Sequence, residues 1–340
     1  MTKKIMVTGA AGYIGSVLTE TLTAAGYEVL AIDRFFFGRE TLPPDRNGLE
    51  TVRTDIRWMD ESLFDGVYGV IDLAALSNDP ASELDPEKTW DVNHRGRARV
   101  ARLAKRHGVA RYILPSSCSI YGFQEGILDE AATPNPLTTY AKANLAAERD
   151  VSALADDDFC VTVIRQATVY GLSPRMRFDL AINGMVKGLV QQGQVPILRE
   201  GTQWRPFVHV RDTSRAMRMI LEADPSIVNC ETFNIGSDEQ NMQIMPLAEA
   251  VATSLHLPFQ WEWYGLPDHR SYRVSFAKAK EALGFLPEHS PEDGAREVGA
   301  AIADRQLDPD DPRTITVDWY KYLLESHRLV KEVELEGTLL

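Results

Sequence analysis

The first forty residues hold two short apolar runs with a helical pattern between them. Residues 5–8 form the first run, a glycine-rich turn follows, and apolar side chains then recur at helical spacing up to Gly26. The second run, residues 29–32, ends at Asp33. Short apolar runs bounded by turn residues are typical of buried strands, so this order predicts strand, turn, helix and strand.

The glycines of this turn have the spacing of a dinucleotide-binding motif. We expect Gly9 to permit the tight turn, Gly12 to let the backbone approach a diphosphate, and Gly15 to let the helix pack closely on the sheet. The N-terminus of the helix then offers free N–H groups to the phosphates. Asp33 would accept hydrogen bonds from a ribose and repel a 2′-phosphate, which favours NAD over NADP. Arg34, however, could pair with that phosphate.

Strand and helix patterns keep alternating through the first half of the chain. Strands are predicted at residues 51–53, 66–73, 110–114 and 159–165, and helices at 86–107 and 140–154. This alternation predicts an α/β fold with a doubly wound parallel sheet, the Rossmann fold, which binds ligands at the carboxyl ends of its strands.

The length of 340 residues favours two lobes over one. We expect residues 1–170 to form the NAD-binding domain, with some later segments returning to it. Residues 171–340 would mainly form a smaller α/β substrate lobe, capped by a C-terminal helix over residues 317–333.

Composition narrows the classes of partner. The chain carries 36 basic and 49 acidic residues, a net charge of −13, and no basic run, which disfavours nucleic acid and anionic membranes. Its three cysteines show no CxxC spacing, so we expect neither disulfides nor a metal site. The first strand begins within five residues of Met1, and no apolar run is long enough to span a bilayer. We therefore expect no signal peptide and a cytoplasmic protein.

Two further segments add candidate chemistry at the predicted sheet edge. Residues 116–122 read Ser-Ser-Cys-Ser-Ile-Tyr-Gly, and residues 138–144 read Thr-Thr-Tyr-Ala-Lys-Ala-Asn. With the glycine turn, the acid ending the second strand and the Asp-Ile pair at 55–56, they resemble the extended short-chain dehydrogenase/reductase family of nucleotide-sugar epimerases and dehydratases. The resemblance covers almost the whole chain and implies NAD, a nucleotide-diphosphate sugar and a homodimer that pairs the helices beginning at Pro86 and Tyr140.

The resemblance also implies site residues. In this family the position of Ser117 binds the sugar hydroxyl that is oxidised, and that of Tyr140 moves its proton. Expected cofactor contacts are Gly9, Gly12, Tyr13, Ile14, Gly15, Asp33, Arg34, Asp55, Ile56, Leu73, Ala74, Ala75, Asn93, Ser116, Tyr140 and Asn144. Expected substrate contacts are Ser77, Cys118, Ser119, Gln166, Arg205 and Arg270.

Position 144 departs from the family pattern, which has lysine there to bind the nicotinamide ribose and lower the tyrosine's pKa. Residues four apart share a helix face, so Asn144 lies on the side of Tyr140 whereas Lys142 faces away. Asparagine can keep the ribose hydrogen bond but not the charge. Either another cation substitutes, or Tyr140 acts mainly as a general acid in reduction, or the site is slow or inactive. On this basis Asn144→Lys should accelerate oxidation at neutral pH.

The segment around Cys118 and Ser119 helps to choose a reaction. Family 4,6-dehydratases carry an acid at both positions and sugar-acid decarboxylases carry glutamate at the second, and neither acid is present. We therefore expect an NAD-dependent epimerase that transiently oxidises the sugar at C4. A reductase or dehydrogenase of a keto-sugar nucleotide and a non-catalytic NAD(H)-binding sensor remain alternatives.

Arginines from two separated segments resemble the family's diphosphate grips. Arg205 lies in one segment, and Arg270 or Arg273 would supply the other, since the guanidinium fork pairs bidentately with phosphate oxygens. Arg175 and Arg177 are expected to be ordinary surface residues. His209, on an apolar strand, is expected to be a hydrogen-bonded core histidine.

Overall fold

A seven-stranded parallel sheet forms the centre of the protein. The computed structural model describes residues 2–46, 48–265 and 270–338. Its strands are β1 (Lys4–Thr8), β2 (Glu28–Asp33), β3 (Leu49–Arg53), β4 (Val67–Asp72), β5 (Arg111–Ser117), β6 (Phe123–Leu128), β7 (Cys160–Gln166), β8 (Thr168–Tyr170), β9 (Val195–Leu198), β10 (Trp204–His209), β11 (Glu231–Ile235), β12 (Asn241–Gln243), β13 (Trp261–Tyr264) and β14 (Ser271–Val274). The strand order in the large sheet is β3-β2-β1-β4-β5-β7-β11.

The helices cover both faces of this sheet or pack against the smaller sheets. They are α1 (Tyr13–Ala24), α2 (Asp79–Ser82), α3 (Pro86–Trp90), α4 (Arg97–Arg106), α5 (Thr139–Ser152), α6 (Ala181–Gln192), α7 (Val210–Glu222), α8 (Pro225–Val228), α9 (Ile244–Ser254), α10 (Ala277–Leu283), α11 (Pro291–Ala303) and α12 (Thr316–Val333). One π-helical segment, Asp91–Gly96, joins α3 to α4, so the predicted helix at 86–107 is continuous but widened in its middle.

The predicted doubly wound sheet is confirmed. Strand β1 pairs in parallel with β2 on one side and with β4 on the other, so the strand order reverses at this point. Their apolar side chains face two separate cores, one on each side of the sheet. A crevice opens above the carboxyl ends of strands at such a reversal, which places the glycine turn and the loop after β4 together.

The second half of the chain contributes to both regions. Strands β8, β10 and β12 form one small sheet and β9 pairs with β13 in another. Strand β11 returns to the large sheet as the neighbour of β7, and α7 packs against α1.

The C-terminal helix lies elsewhere than predicted. Instead of capping the smaller lobe, α12 packs on the loop that follows β2: the Trp319 indole donates a hydrogen bond to the Phe36 carbonyl at 2.7 Å. The Tyr320 ring contacts the rings of Phe36 and Phe37, with centroids 5.8 and 5.5 Å apart. The aromatic rings of this loop are thus covered by α12, which lies 283 residues further along the chain at Trp319. Over the part of the chain that the structure describes, none of the helices is long and apolar enough to cross a membrane.

Candidate active site

The glycine turn brings the backbone of three segments into contact. Gly9 has φ +66°, and a Cβ there would lie 2.9 Å from the Ala74 nitrogen. A Cβ on Gly15 would lie 2.2 Å from the Gly9 carbonyl oxygen, so only glycine lets α1 approach the turn. Gly12 is the N-cap of α1 and supplies no side-chain cap, which leaves N–H groups of the first turn available to an anion.

Asp33 lies at the carboxyl end of β2 beside this turn. Its carboxylate accepts hydrogen bonds from the Ala11 N–H at 3.0 Å and from the Phe35 N–H at 2.6 Å. Burial raises the pKa of Asp33, although hydrogen bonds from these N–H groups act in the opposite direction. Each carboxylate oxygen retains a lone pair that a ribose hydroxyl can use.

Arg34, which could have favoured NADP, is engaged by an acid. Its Nη1 lies 3.0 Å from Asp55 Oδ2, and its guanidinium lies 4.4 Å from the centroid of the Phe36 ring. Arg57 contacts the same carboxylate at 2.9 Å. Burial opposes ionisation of Asp55, but the hydrogen bonds and charge of Arg57 outweigh it and lower the pKa. Asp55 therefore competes with any 2′-phosphate for Arg34.

A cavity of about 190 Å³, which we call the cofactor cavity, extends from the glycine turn along the ends of β2, β3 and β4. Ten of the residues predicted to bind cofactor or substrate line it: Gly9, Gly12, Tyr13, Asp33, Arg34, Asp55, Ile56, Ala74, Ala75 and Ser77. Phe36, Phe37, Arg57, Lys88, Arg175, Arg177 and Tyr320 also line it and were not predicted to bind a ligand. Two rings of the aromatic loop after β2, those of Phe36 and Phe37, therefore form part of this wall.

Several predicted cofactor residues support the cavity instead of lining it. Asn93 is buried in the π-helical segment, where its amide accepts from the Leu76 N–H at 2.8 Å and donates to the Leu76 carbonyl at 3.0 Å. It thereby fixes the loop after β4. Ile14, Gly15 and Leu73 are sequence neighbours of residues that line the cavity but do not line it themselves. π-Helical turns often occur at functional sites, and the sequence pattern gave no sign of this one.

The end of β5 carries the predicted sugar-binding residues. Ser117 Oγ accepts from the Ser119 N–H at 3.1 Å, and the Ser119 hydroxyl is buried with no partner among the described residues. Ser116 is turned away, because its hydroxyl donates to Glu148 at 2.5 Å. The Cys118 thiol is buried, donates to the Arg165 carbonyl, and has its pKa raised by that burial. Ser117 and Ser119 are therefore the side chains that can offer a hydroxyl to a ligand.

Helix α5 presents Tyr140 near its N-terminus and buries Asn144 one turn later. The Asn144 amide donates to the Tyr140 carbonyl at 3.1 Å and accepts from Arg97 Nη1 at 2.9 Å. Arg97 is fully buried and also donates to the carbonyls of Asp72 and Pro115, at the ends of β4 and β5. Lys142 is exposed on the other face. Position 144 thus already lies against a buried cation.

A second cavity, of about 570 Å³, lies between α6, β9 and β10, and we call it the arginine pocket. Arg205 and Arg270 both line it, as does Tyr264 from β13. Arg270 also forms an ion pair with Asp79. Gln166 is buried away from the pocket and accepts from Thr213 Oγ1 at 2.6 Å. Arg273 packs its guanidinium over the Trp204 ring. Residues 268 and 269 of the same segment lie outside the described residues.

The expectation that Arg175 and Arg177 are surface residues is wrong, since both are more than 90% buried. Arg177 forms a bidentate ion pair with Asp179, at 3.0 and 2.8 Å, and donates to Ser77 Oγ at 3.3 Å. Burial opposes the charge of Arg177, but Asp179 outweighs it and raises the pKa. Because Arg177 lines the cofactor cavity and Asp179 lines the arginine pocket, this ion pair separates the two.

Residues 5–236 match the sequence model of the NAD dependent epimerase/dehydratase family. The chain belongs to this family. NAD is accordingly its cofactor, and the glycine turn, the carboxylate of Asp33 and the cofactor cavity fit that dinucleotide.

Relatives within the NAD dependent epimerase/dehydratase family span several activities. The uncharacterized UDP-glucose epimerase YtcB of Bacillus subtilis is 28% identical over 311 residues, which is 86% of this chain and 95% of that protein. UDP-glucuronic acid decarboxylase 1 of Danio rerio is 27% identical over 302 residues, 86% of this chain and 71% of that protein. The solved structure of MoeE5 in complex with UDP-glucuronic acid and NAD superposes with a TM-score of 0.79 at 28% identity, covering 89% of this chain and all of that one.

Histidines in this family member form a hydrogen-bonded cluster outside both cavities. The ligand atoms of His209, Asp212 and His289 lie within 4.8 Å of one another. His209 Nε2 lies 2.6 Å from a Glu297 oxygen and Nδ1 accepts from the Arg211 N–H at 3.2 Å. Both ring nitrogens of His209 therefore have protein partners, which supports a core role for this histidine.

Proposed function

We propose that this protein is an NAD-dependent nucleotide-sugar epimerase that transiently oxidises its substrate at C4. The observation that carries the proposal is the shared wall between the cofactor cavity and the arginine pocket, formed by Arg177 and Asp179. A nucleotide diphosphate held by Arg205 and Arg270 would extend its sugar toward that wall. Relatives named as UDP-glucose and UDP-glucuronate epimerases support UDP as the nucleotide.

The residues at the ends of β5 and α5 support the chemistry. NAD, when bound, would accept a hydride from the sugar carbon and return it to the opposite face. Ser117 would hold the reacting hydroxyl, and Tyr140 would take and return its proton. Asn144 has one N–H left after donating to the Tyr140 carbonyl, and it would donate that to the nicotinamide ribose.

The neutral segment after β5 disfavours the other activities found among relatives. Decarboxylation and 4,6-elimination call for carboxylate groups near the sugar, and Cys118 and Ser119 stand where the resemblance would place them. Burial raises the pKa of the Cys118 thiol, so at neutral pH it stays protonated and cannot replace a carboxylate as a general base. Epimerisation needs only hydride and proton exchange at one carbon.

The proposal extends to the division of binding between the two halves of the chain, to the cellular compartment and to the oligomeric state. Residues 1–170 would bind NAD and residues 171–340 would mainly bind the nucleotide sugar, with β11 returning to the first region. Three free cysteines support a reducing, cytoplasmic compartment. We expect a homodimer through α3, α4 and α5, and light scattering of the purified protein tests that.

The test is the identity of the small molecules that leave the denatured protein, measured by mass spectrometry and absorbance. Retained NAD and conversion of UDP-glucose or UDP-glucuronate to its C4 epimer, without net formation of NADH, would support the proposal. Stoichiometric consumption of NADH by a keto-sugar nucleotide would replace it with a reductase. NAD binding without turnover of any nucleotide sugar would instead favour a sensor, consistent with the absence of a cation at position 144.

A further inference from the structure

Arg175 is a buried cation whose hydrogen-bonding capacity is largely unused. It is 5% exposed, and one of its nitrogens, Nη2, donates to Thr316 Oγ1 at 2.8 Å. Its Nε and Nη1 are buried and have no partner among residues 2–46, 48–265 and 270–338. The guanidinium lies 3.7 Å from the centroid of the Phe37 ring. Two nitrogens of the guanidinium, Nε and Nη1, therefore lie inside the fold without a hydrogen-bond acceptor.

The surroundings of Arg175 make its charge unfavourable without an anion. Burial, and then the like charge of Arg177, lower the pKa of Arg175 to about 9, which still leaves it charged at neutral pH. Among the described residues no carboxylate lies within 4 Å of Arg175, and the more distant charge of Asp179 only partly offsets the effect of burial. Buried charges are normally paired or bound to a ligand, because water is no longer present to solvate them.

The place of Arg175 in the fold indicates which ligand. It lines the cofactor cavity together with Gly12, Tyr13 and Asp33, which form the phosphate-binding turn and the ribose-binding acid. Other arginines of this wall already have acidic partners: Arg34 is bound to Asp55, and Arg57 to Asp55 and Asp91. Arg175, with its unused donors, thus belongs to the wall of the cavity in which a dinucleotide would bring two phosphates.

We propose that Arg175 binds the diphosphate of the dinucleotide, as a ligand supplied by the segment that follows β8. The inference rests on NAD as the cofactor. It adds a cationic contact to the N–H groups of α1, and it links cofactor binding to α12 through Thr316 and to the loop after β2 through Phe37. Cofactor binding would then stabilise the contacts among the segment after β8, the loop after β2 and α12, which are distant in sequence.

The experiment compares Arg175→Gln and Arg175→Lys with the wild type by calorimetric titration of NAD, ADP-ribose, adenosine and NADP. Glutamine keeps a donor for Thr316 but removes the charge, and lysine keeps the charge without the fork. We expect affinity for NAD and ADP-ribose to fall about tenfold or more in Arg175→Gln and less in Arg175→Lys, with adenosine unchanged. The melting temperature of the cofactor-free protein should stay level or rise, because an unpaired buried charge is removed.

Arg313→Gln is the matched control. Arg313 donates to the Phe37 carbonyl from the same side of the loop, but its charge is paired with Asp311 and Glu40. It should leave the selectivity between ADP-ribose and adenosine unchanged.

Three results would overturn the inference. Equal losses for adenosine and ADP-ribose would mean that Arg175 only shapes the loop. A loss confined to NADP would assign it to a 2′-phosphate. Unchanged ADP-ribose affinity with a lower melting temperature would make it structural. If the wild type bound neither NAD nor ADP-ribose, the proposed function itself would fail, and this outcome is read from the wild-type titration alone.

Discussion

The Arg97 guanidinium donates to the Asn144 side-chain oxygen at 2.9 Å, inside the core beneath the proposed active site. Arginine has no acceptor, so it fixes the Asn144 oxygen toward itself and turns the NH₂ group to the opposite side. That group donates to the Tyr140 carbonyl at 3.1 Å and has a second N–H for a ligand. A cation is therefore present next to position 144, although not at it: the buried Arg97 guanidinium orients the Asn144 amide.

This contact reverses the expectation for Asn144→Lys. Lysine at position 144 would place an ammonium group against the Arg97 guanidinium in a site that excludes water. We expect this variant to lose about 3 kcal/mol of unfolding free energy, the size of effect seen when a buried charge lacks a partner. Denaturant titration of the cofactor-free protein measures the loss, and Ala146→Lys, on a half-buried position of the same helix, is the control. Equal stability of Asn144→Lys and wild type would show that Arg97 does not oppose the new charge.

Moving the cation instead of adding one should succeed. In Arg97→Gln with Asn144→Lys, the glutamine amide can still donate to the carbonyls of Asp72 and Pro115, and the lysine restores a single positive charge near the Asp72 carboxylate. We expect a coupling free energy of about 1 to 3 kcal/mol between the two substitutions, measured as a double-mutant cycle in denaturant.

The same double variant tests the role of position 144 in proton transfer. A cation on the Tyr140 face of α5 should shift the pH at which substrate oxidation half-saturates to lower pH by about 1 unit or more. The measurement is the pH–rate profile of NADH formation in a single turnover. A profile identical to that of the wild type, in a variant that is folded and binds NAD, would show that position 144 does not govern the tyrosine.

The pH dependence of NAD binding should report Asp33. Burial raises the pKa of Asp33, so its carboxylate protonates at a higher pH than an exposed aspartate near 4. NAD affinity should therefore fall as pH decreases through this raised pKa, because a protonated carboxyl accepts fewer ribose hydrogen bonds. The cofactor-free protein should show the opposite sign: the raised pKa adds stability below the pKa of the unfolded state, and this is lost as pH rises through the folded one.

Asp33→Asn is the control for both signs. Asparagine cannot ionise, so the variant should bind NAD more weakly at neutral pH and should show flatter profiles of affinity and stability over the acid range. Calorimetric titration and thermal melting at a series of pH values measure the two. An acid limb of NAD affinity that persists unchanged in Asp33→Asn would assign the titration to another group.

The sequence predicted the features that depend on neighbouring residues and missed those that depend on contacts between residues far apart in the chain. The glycine turn, Asp33 and the parallel sheet are written in local spacing, since a tight turn, a helix N-terminus and a buried strand each need only a few neighbouring residues. Arg97 and Asn144 are 47 residues apart, and Trp319 and Phe36 are 283 apart. Such contacts depend on how whole helices pack, and no local pattern encodes them.

The two arginines after β8 were missed for a related reason. A sequence rule that assigns arginine to the surface is correct for most positions, because an isolated buried charge is unfavourable. Arg177 escapes the rule through Asp179, two residues away, and this spacing was visible in the sequence. Arg175 has no such neighbour, and its burial became interpretable only when the cofactor cavity placed it beside the glycine turn.

The ion pair between Arg270 and Asp79 joins the arginine pocket to the first residue of α2, and it should compete with substrate. Asp79 also accepts from Thr138 Oγ1 at 2.5 Å, and Thr138 is the N-cap of α5. Asp79→Asn keeps an acceptor for Thr138 but removes the charge that attracts Arg270. We expect this variant to bind UDP about threefold to tenfold more tightly, since a partly exposed ion pair contributes about 1 kcal/mol.

Two controls separate this competition from damage to α5. Thr138→Val removes the other contact of Asp79 and should leave UDP affinity near the wild-type value. Arg270→Gln should weaken UDP binding, and adding Asp79→Asn to it should bring no gain, because the guanidinium that Asp79 attracts is gone. Calorimetric titration with UDP measures the four variants and the wild type. Tighter binding by Asp79→Asn that persists when Arg270 is replaced would mean that the carboxylate repels the diphosphate directly, without acting through the arginine.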